Sequence, residues 1–347
     1  MSERELTANS TRRKFLAATG AAGVTFAAGC LGGGDDDGIL FLLNPAEENI
    51  DIEVQYQPLI EHVESEVDVE IEATPTSSYS ATVTSLESGD GELADTSPGA
   101  VIAAEGFADV LGIRKAFGSE RYFSLITTRP DTGITELSEL AGERVALGAT
   151  TSVSGGFVPL LMLKQAGLDI GNAPRGEAED LEIRFTGDHF TAINGVIEDD
   201  TIAAAGTGAF VAASNVPQEQ FDQMSQDFVD ISAEYDSAGE DTSEAELRLL
   251  SVSDPIPRAP IMIRSDWEHE KREDIEQALL NAPDDAFQHE EGELAEELDV
   301  DPDTEEGQEV ISNHEIWFSD IVEADASQYE PIRDILNELG LEFEDIS

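Results

Sequence analysis

The sequence predicts an α/β protein built as two lobes, and three features carry that expectation. From Ile39 onward, short apolar runs alternate with longer amphipathic ones, the pattern of βαβ units. About 310 residues follow a Gly- and Asp-rich stretch that ends at Gly38, more than a single core usually supports. Hydrophobic residues make up 40% of the chain, so those cores can be filled despite an extreme charge.

The first unit reads as a strand at Ile39 to Leu43, a helix at Pro58 to Glu66 and a strand at Val67 to Ala73, and such alternation argues for a parallel sheet. Further strands are expected at Tyr122 to Thr127, Arg144 to Gly148, Leu181 to Phe185, Thr201 to Ala205 and Ile261 to Ile263. Helices are expected at Val158 to Ala166, His189 to Ile197, Asp266 to Asn281 and Glu330 to Leu339. Ser237-Ala238-Gly239, within the acidic stretch Glu234 to Glu246, reads as a surface loop kept in solvent by its charge. No internal repeat is visible.

The 347 residues include 75 acidic and 18 basic side chains, a net charge of −57. Only Lys14, Lys115, Lys164 and Lys271 are lysines. A nucleic-acid binder grips phosphates with clustered Lys and Arg, and an anionic membrane surface needs the same, so both classes are excluded. At about 1 M salt the Debye length is about 3 Å, which screens most of the self-repulsion. The acidity therefore reads as a halophile's adaptation to solvent. A single cysteine, Cys30, excludes a disulfide framework and a cysteine zinc site.

Thr11-Arg12-Arg13-Lys14-Phe15-Leu16 carries the paired arginines of a twin-arginine export signal. The uncharged run from Phe15 to Gly29 is shorter than the roughly 20 residues a membrane span needs. It leads through Ala27-Ala28-Gly29 to Cys30, which resembles a lipoprotein processing site; an uncleaved anchor followed by an incidental cysteine is the alternative. Residues 1–29 are thus expected to be removed, leaving lipidated Cys30 and a flexible tether over 30–38.

The most informative segment is Val145 to Pro159, a strand entering a small, hydroxyl-rich turn and then an apolar helix. Unpaired amides at a helix start favour an anion, Ser152 and Ser154 add hydroxyls, and Gly155 and Gly156 permit close approach to the backbone. Serines that merely cap the helix are the other reading. His189 follows the turn Thr186-Gly187-Asp188 and opens a helix, where it either adds a donor at the strand ends or serves only as a cap. His62, His269, His289 and His314 lie among acids, and none forms a metal-ligand spacing with another. No cofactor is implied.

From Ile39 to its end the chain resembles the phosphonate, phosphite and phosphate-binding proteins of ABC importers. Ser152-Val153-Ser154-Gly155-Gly156 with Pro159 is similar to that family's Ser-Thr-Ser-Gly-aromatic stretch and following Pro, and Gly187-Asp188-His189 is similar to its Gly-x-His. Tyr79 matches the tyrosine that opens the second helix of the first lobe, and Tyr122 the tyrosine at the first crossing between lobes. The resemblance implies a two-lobed type II periplasmic binding protein fold with a hinge of two crossing strands. Residues 39–126 plus 256–347 would form one lobe and 127–255 the other. It implies a monomer that binds a small oxyanion through Tyr79, Tyr122, Ser152, Val153, Ser154 and His189, and that hands it to permease and ATPase subunits at the membrane.

The departures narrow the ligand. Val153 replaces the family's threonine, and Gly156 its aromatic residue. Where aminophosphonate binders place carboxylates for the amine, this chain has approximately Ala209 and Ala259, so an amine-free oxyanion is favoured. Arg258, at the second crossing, is either a bidentate oxyanion ligand or a loop residue paired with a nearby acid. Besides a purely adhesive surface lipoprotein, two alternatives to phosphorus oxyanion capture stay open. One is the same fold taking a sulfonate, another oxyanion or a thiamine precursor. The other is a serine hydrolase with Ser154 as nucleophile and His189 as base.

Overall fold

The computed structural model describes residues 38–43, 51–116, 118–243, 245–289 and 292–341. The export signal, Cys30 and the tether up to Asp37 lie outside them. Two mixed sheets carry the chain. The first has six strands in the order Asp320–Glu323, Ala108–Lys115, Pro260–Arg264, Leu93–Asp95, Gly38–Leu43, Glu70–Pro75. The second has five, in the order Arg248–Val252, Ser124–Thr128, Ala204–Gly208, Arg144–Leu147, Glu182–Phe185. Between them, Arg121–Tyr122 and Ile256–Pro257 pair antiparallel as the two crossing strands of the hinge.

The expectation of parallel sheets needs correction. Gly38–Leu43 pairs parallel with both its neighbours, as does Arg144–Leu147, but Pro260–Arg264, Asp320–Glu323, Ser124–Thr128 and Arg248–Val252 pair antiparallel. The run read as one strand at Tyr122 to Thr127 is in fact two. Phe123 separates the hinge strand from Ser124–Thr128, which lies wholly in the second sheet, so the sheet changes three residues before the boundary read at 126/127.

Local chemistry explains the other shifts. The first helix begins at Ile52 and not at Pro58, because the Asp51 side chain accepts from the Glu53 and Val54 amides and caps it; Pro58 then sits inside. The helix ends at Val67, where Asp68 turns left-handed at φ 57°, which delays the next strand to Glu70. Thr201 bonds Asp199 Oδ1 through both its amide and its hydroxyl, holding a turn, so the strand expected at Thr201 to Ala205 runs instead over Ala204–Gly208. The helix expected from Asp266 starts at Arg272, after a turn in which Trp267 stacks on His269 at 5.4 Å. Helix Glu330–Leu339 lies where the sequence placed it.

One core lies outside the first sheet, where Tyr56, Leu59 and Val63 of the first helix meet Phe41, Ile261 and Leu279. Another covers the second sheet, with Phe123, Leu125, Ile193, Phe221 and Phe228. The third joins residues of both sheets to Leu160 and Leu163 and to Ile332 and Leu336 of the C-terminal helix. Each such fully buried side chain contributes about 1.5–3 kcal/mol. Helix Glu330–Leu339 follows a strand of the first sheet yet packs on helix Val158–Gln165 of the second lobe, where Lys164 Nζ donates to the Glu338 carbonyl. It is thus a third tie between lobes. Inside the first lobe, Asp95 is fully buried and accepts from Tyr56 and from Arg114 (2.5 Å). Burial raises its carboxyl to about 7 against the pull of Arg114, whose guanidinium also stacks 4.2 Å from the Trp317 ring.

Candidate functional site

Strand Arg144–Leu147 ends at Gly148, and the chain turns through Ala149 to Thr151 into a single π-helical turn, Val153–Phe157, followed by helix Val158–Gln165. Ser152 caps that turn, its Oγ accepting from the Gly155 amide at 3.1 Å. The amides of Val153 and Ser154 belong to the first turn and have no carbonyl within the helix to reach. Both glycines are needed on steric grounds. A Cβ on Gly156 would lie 2.6 Å from the Ala149 carbonyl oxygen, and one on Gly155 would lie 2.6 Å from His189 Cε1. Gly155 thereby lets the imidazole close over the turn.

His189 heads helix His189–Glu198, which Asp188 caps by accepting from Thr191. Its Nδ1 accepts from the Gly208 amide at 3.0 Å, and its Nε2 lies 3.3 Å from Ser152 Oγ. Burial pushes the imidazole down to about 4, although the residue as a whole is only half-buried. At neutral pH the ring is therefore uncharged, and the Gly208 bond assigns its one proton to Nε2. With Ser152 Oγ already accepting from Gly155 and from Nε2, its own hydroxyl proton is left to point outward.

Ser154 and Val153 are 2% exposed. The Ser154 hydroxyl lies close enough to that of Tyr122 to act on it, and the Ser154 carbonyl accepts from Ser124 Oγ at 2.7 Å. Tyr122 is buried, which pushes its phenol up to about 12; Tyr79, the first residue of helix Tyr79–Ser88, is close enough to act on it. The structure thus brings Tyr79, Tyr122, Val153 and Ser154 into one neighbourhood, and Ser152 with His189 into another. Phe210 joins the two.

Phe210 is a residue that sequence reasoning missed. It is 48% exposed, stands edge-on to His189 at 5.0 Å and lies 6.3 Å from the Tyr122 ring. A Cβ on Gly208 would collide with it at 2.2 Å, so that glycine lets the ring fold back against His189. The available signal was the strand boundary: once the strand ends at Gly208, residue 210 falls at its mouth. Ser124 and the Gly208 amide were missed as well.

Arg258 has other engagements. It is 4% exposed, its Nη2 bonds Glu234 Oε1 at 3.1 Å, and its Nε donates to the Ser119 carbonyl at 3.0 Å. Of the two readings offered for it, the geometry supplies the pairing with an acid, and in a buried setting. Glu234, read as part of a solvated acidic loop, is itself only 8% exposed because it answers this charge.

An open groove of about 530 Å³ lies elsewhere, between helices Val158–Gln165 and Glu330–Leu339 and the second crossing. Gln165, Asp254, Asp334 and Glu338 supply its polar edge, and no Lys, Arg or His lines it. That chemistry suits no anion, so the corner formed by Ser152 and His189 is the better candidate. Among the described residues, no helix is long and apolar enough to cross a membrane.

A family model described as "ABC transporter, phosphonate, periplasmic substrate-binding protein" matches residues 41–329. Among solved structures, the chain is similar to PhnD1 from Prochlorococcus marinus in complex with methylphosphonate (TM-score 0.59, 15% identity, covering 88% of this chain and 98% of that one). It is also similar to a Xanthomonas citri protein bound to ATP (TM-score 0.58, 15% identity, 88% and 98% covered). A third is a binding protein component of an ABC phosphonate transporter from Pseudomonas aeruginosa (TM-score 0.56, 13% identity, 87% and 86% covered).

Proposed function

Since the chain belongs to the family of periplasmic substrate-binding proteins of phosphonate ABC transporters, we propose that it captures a phosphorus oxyanion (a simple phosphonate, phosphite or phosphate) in the crevice between its lobes and presents it to an ABC permease. The family consists of transport components, not enzymes, and it works outside the cytoplasm. The serine hydrolase alternative also lacks its geometry. His189 Nε2 pairs with Ser152 and not with Ser154, the nucleophile that reading requires, and His189 Nδ1 faces the Gly208 amide where a triad would place a carboxylate.

The observation that carries the proposal is the locked, uncharged His189 set 3.3 Å from the Ser152 hydroxyl at the start of a helix. It gives an anion the outward Ser152 hydroxyl and the Val153 amide, while His189 Nε2–H and the Ser154 hydroxyl turn from their neighbours Ser152 and Tyr122 to the ligand. Tyr79 and Tyr122 close from the other side. Hydrogen bonds to charged groups contribute about 1.5–3 kcal/mol each, so four or five suffice for micromolar binding, near −8 kcal/mol. Ala209 and Ala259 offer no carboxylate for an amine, and the exposed neighbour of Ala209 is the apolar Phe210. In the cell, removal of residues 1–29 leaves Cys30 to carry a lipid anchor, with the binding domain as a monomer on its tether.

A thermal-shift screen in molar salt tests this, using methylphosphonate, phosphite, phosphate, 2-aminoethylphosphonate, sulfate and taurine. At 100 times its Kd a ligand stabilises by about 2.7 kcal/mol, a rise of several degrees. Phosphorus oxyanions without an amine should give the largest rise. A screen in which none of them moves the melting temperature contradicts the proposal.

A further inference from the structure

Arg258 and Glu234 form a buried pair beside Tyr122. The Arg258 guanidinium lies 5.7 Å from the centre of the Tyr122 ring. Its position is fixed from four directions: Nε to the Ser119 carbonyl, Nη2 to Glu234, the amide to the Glu120 carbonyl at 2.9 Å, and its own carbonyl accepting from Tyr329 at 2.9 Å. Glu234 is fixed as well, its second oxygen accepting from Ser232 Oγ at 2.7 Å. A charge pair held this rigidly away from water is a permanent dipole.

Its direction is legible. The cation faces Tyr122: the Arg258 guanidinium lies over the phenol ring, where it lowers the hydroxyl's proton affinity against the effect of burial. Arg114, the cation of the first lobe's buried pair, acts on Tyr122 in the same sense. A field that favours negative charge on the phenol oxygen also favours it on an anion beside Ser154, which lies close to that oxygen. In a chain of net charge −57, an exposed cation in the crevice would be neutralised by the protein's own acids. A buried cation held by one fixed partner, Glu234, is kept from the rest of those acids.

We infer that the Arg258–Glu234 pair sets the charge selectivity of the crevice, favouring a doubly charged tetrahedral oxyanion over a singly charged one of the same shape, without either side chain contacting the ligand. Arg258 is then a positioning and field-setting residue. The inference rests on the oxyanion reading above.

The test compares methylphosphonate with methanesulfonate, two tetrahedral anions of closely similar size that carry two charges and one at about pH 9. Dissociation constants, by competition for the weaker ligand, are measured for the wild type, for Glu234→Gln, and for the double variant Arg258→Met with Glu234→Gln. Removing the negative end should raise the preference for methylphosphonate roughly three- to tenfold, and removing the whole pair should lower it by a similar factor. A purely structural role would weaken both ligands together and leave the ratio unmoved. An unmoved or reversed ratio in a variant that melts cooperatively overturns the inference. The double variant leaves no lone buried charge, and it carries the test alone should Glu234→Gln not fold. A wild type with no affinity for methylphosphonate would instead refute the underlying oxyanion reading.

Discussion

Replacing His189 by Ala is expected to weaken methylphosphonate binding roughly 10- to 100-fold, the loss of one donor to a charged oxyanion in a desolvated site. His189→Gln, which can still present an N–H at nearly the same place, should recover part of that loss. Isothermal titration calorimetry on the two variants checks both statements. Because burial holds the ring neutral down to about pH 4, its donor role does not change between about pH 5 and 8. Over that range the affinity should follow only the second ionisation of the ligand. Affinity that instead falls with a protein group titrating near 6.5 would mean that the imidazolium is the binding form.

The same residue has a signature in stability. The folded state keeps His189 neutral to about pH 4, whereas the unfolded chain takes up its proton near 6.5. Within that window the unfolded state binds more protons, so stability falls as the pH drops from 6.5 towards 4, by up to about 1.4 kcal/mol per pH unit. His189→Ala should lose that component, and urea unfolding midpoints across the window will show whether it does.

The second large effect is expected from Gly155→Ala. The added methyl would lie 2.6 Å from His189 Cε1, 3.0 Å from its Nδ1 and 3.2 Å from Gly148 Cα. The backbone of Gly148 cannot yield easily, since its amide bonds the Gly155 carbonyl at 2.8 Å. The imidazole must move instead. That breaks both the Gly208 bond, which fixes its tautomer, and its approach to Ser152. Binding should fall at least tenfold, with a stability cost of about 1–3 kcal/mol from overpacking. In a ¹⁵N spectrum of His189, the variant should show a mixture of tautomers where the parent shows one. Unchanged affinity would mean that the ring and the turn do not act together.

How far the sequence discloses this protein depends on whether the determining interaction is local. The hydroxyl-rich turn and the Gly-x-His corner could be read because each is set within a few residues: Ser152 caps its own helix, and Asp188 caps the one that His189 opens. What the two motifs do to each other was not local. That His189 meets Ser152, while Ser154 turns to Tyr122, depends on the order in which strands Arg144–Leu147, Ala204–Gly208 and Ser124–Thr128 lie in the second sheet. The strands Ala108–Lys115 and Leu93–Asp95 also escaped notice, the first broken by Gly112 and the second only three residues long. Arg258 illustrates the same limit. With 75 acids in the chain, nothing in the sequence singles out Glu234 as its partner, or reveals that this acid is buried when its neighbours are not.

The most direct test is a crystal structure of the protein with methylphosphonate. The phosphonate oxygens should lie about 3 Å from His189 Nε2 and from the Ser152 and Ser154 hydroxyls, with the tyrosines closed over them. Methylphosphonate found instead in the acidic-edged groove beside helix Glu330–Leu339, or in a crevice where His189 and Ser152 keep their mutual contact undisturbed, would contradict the account.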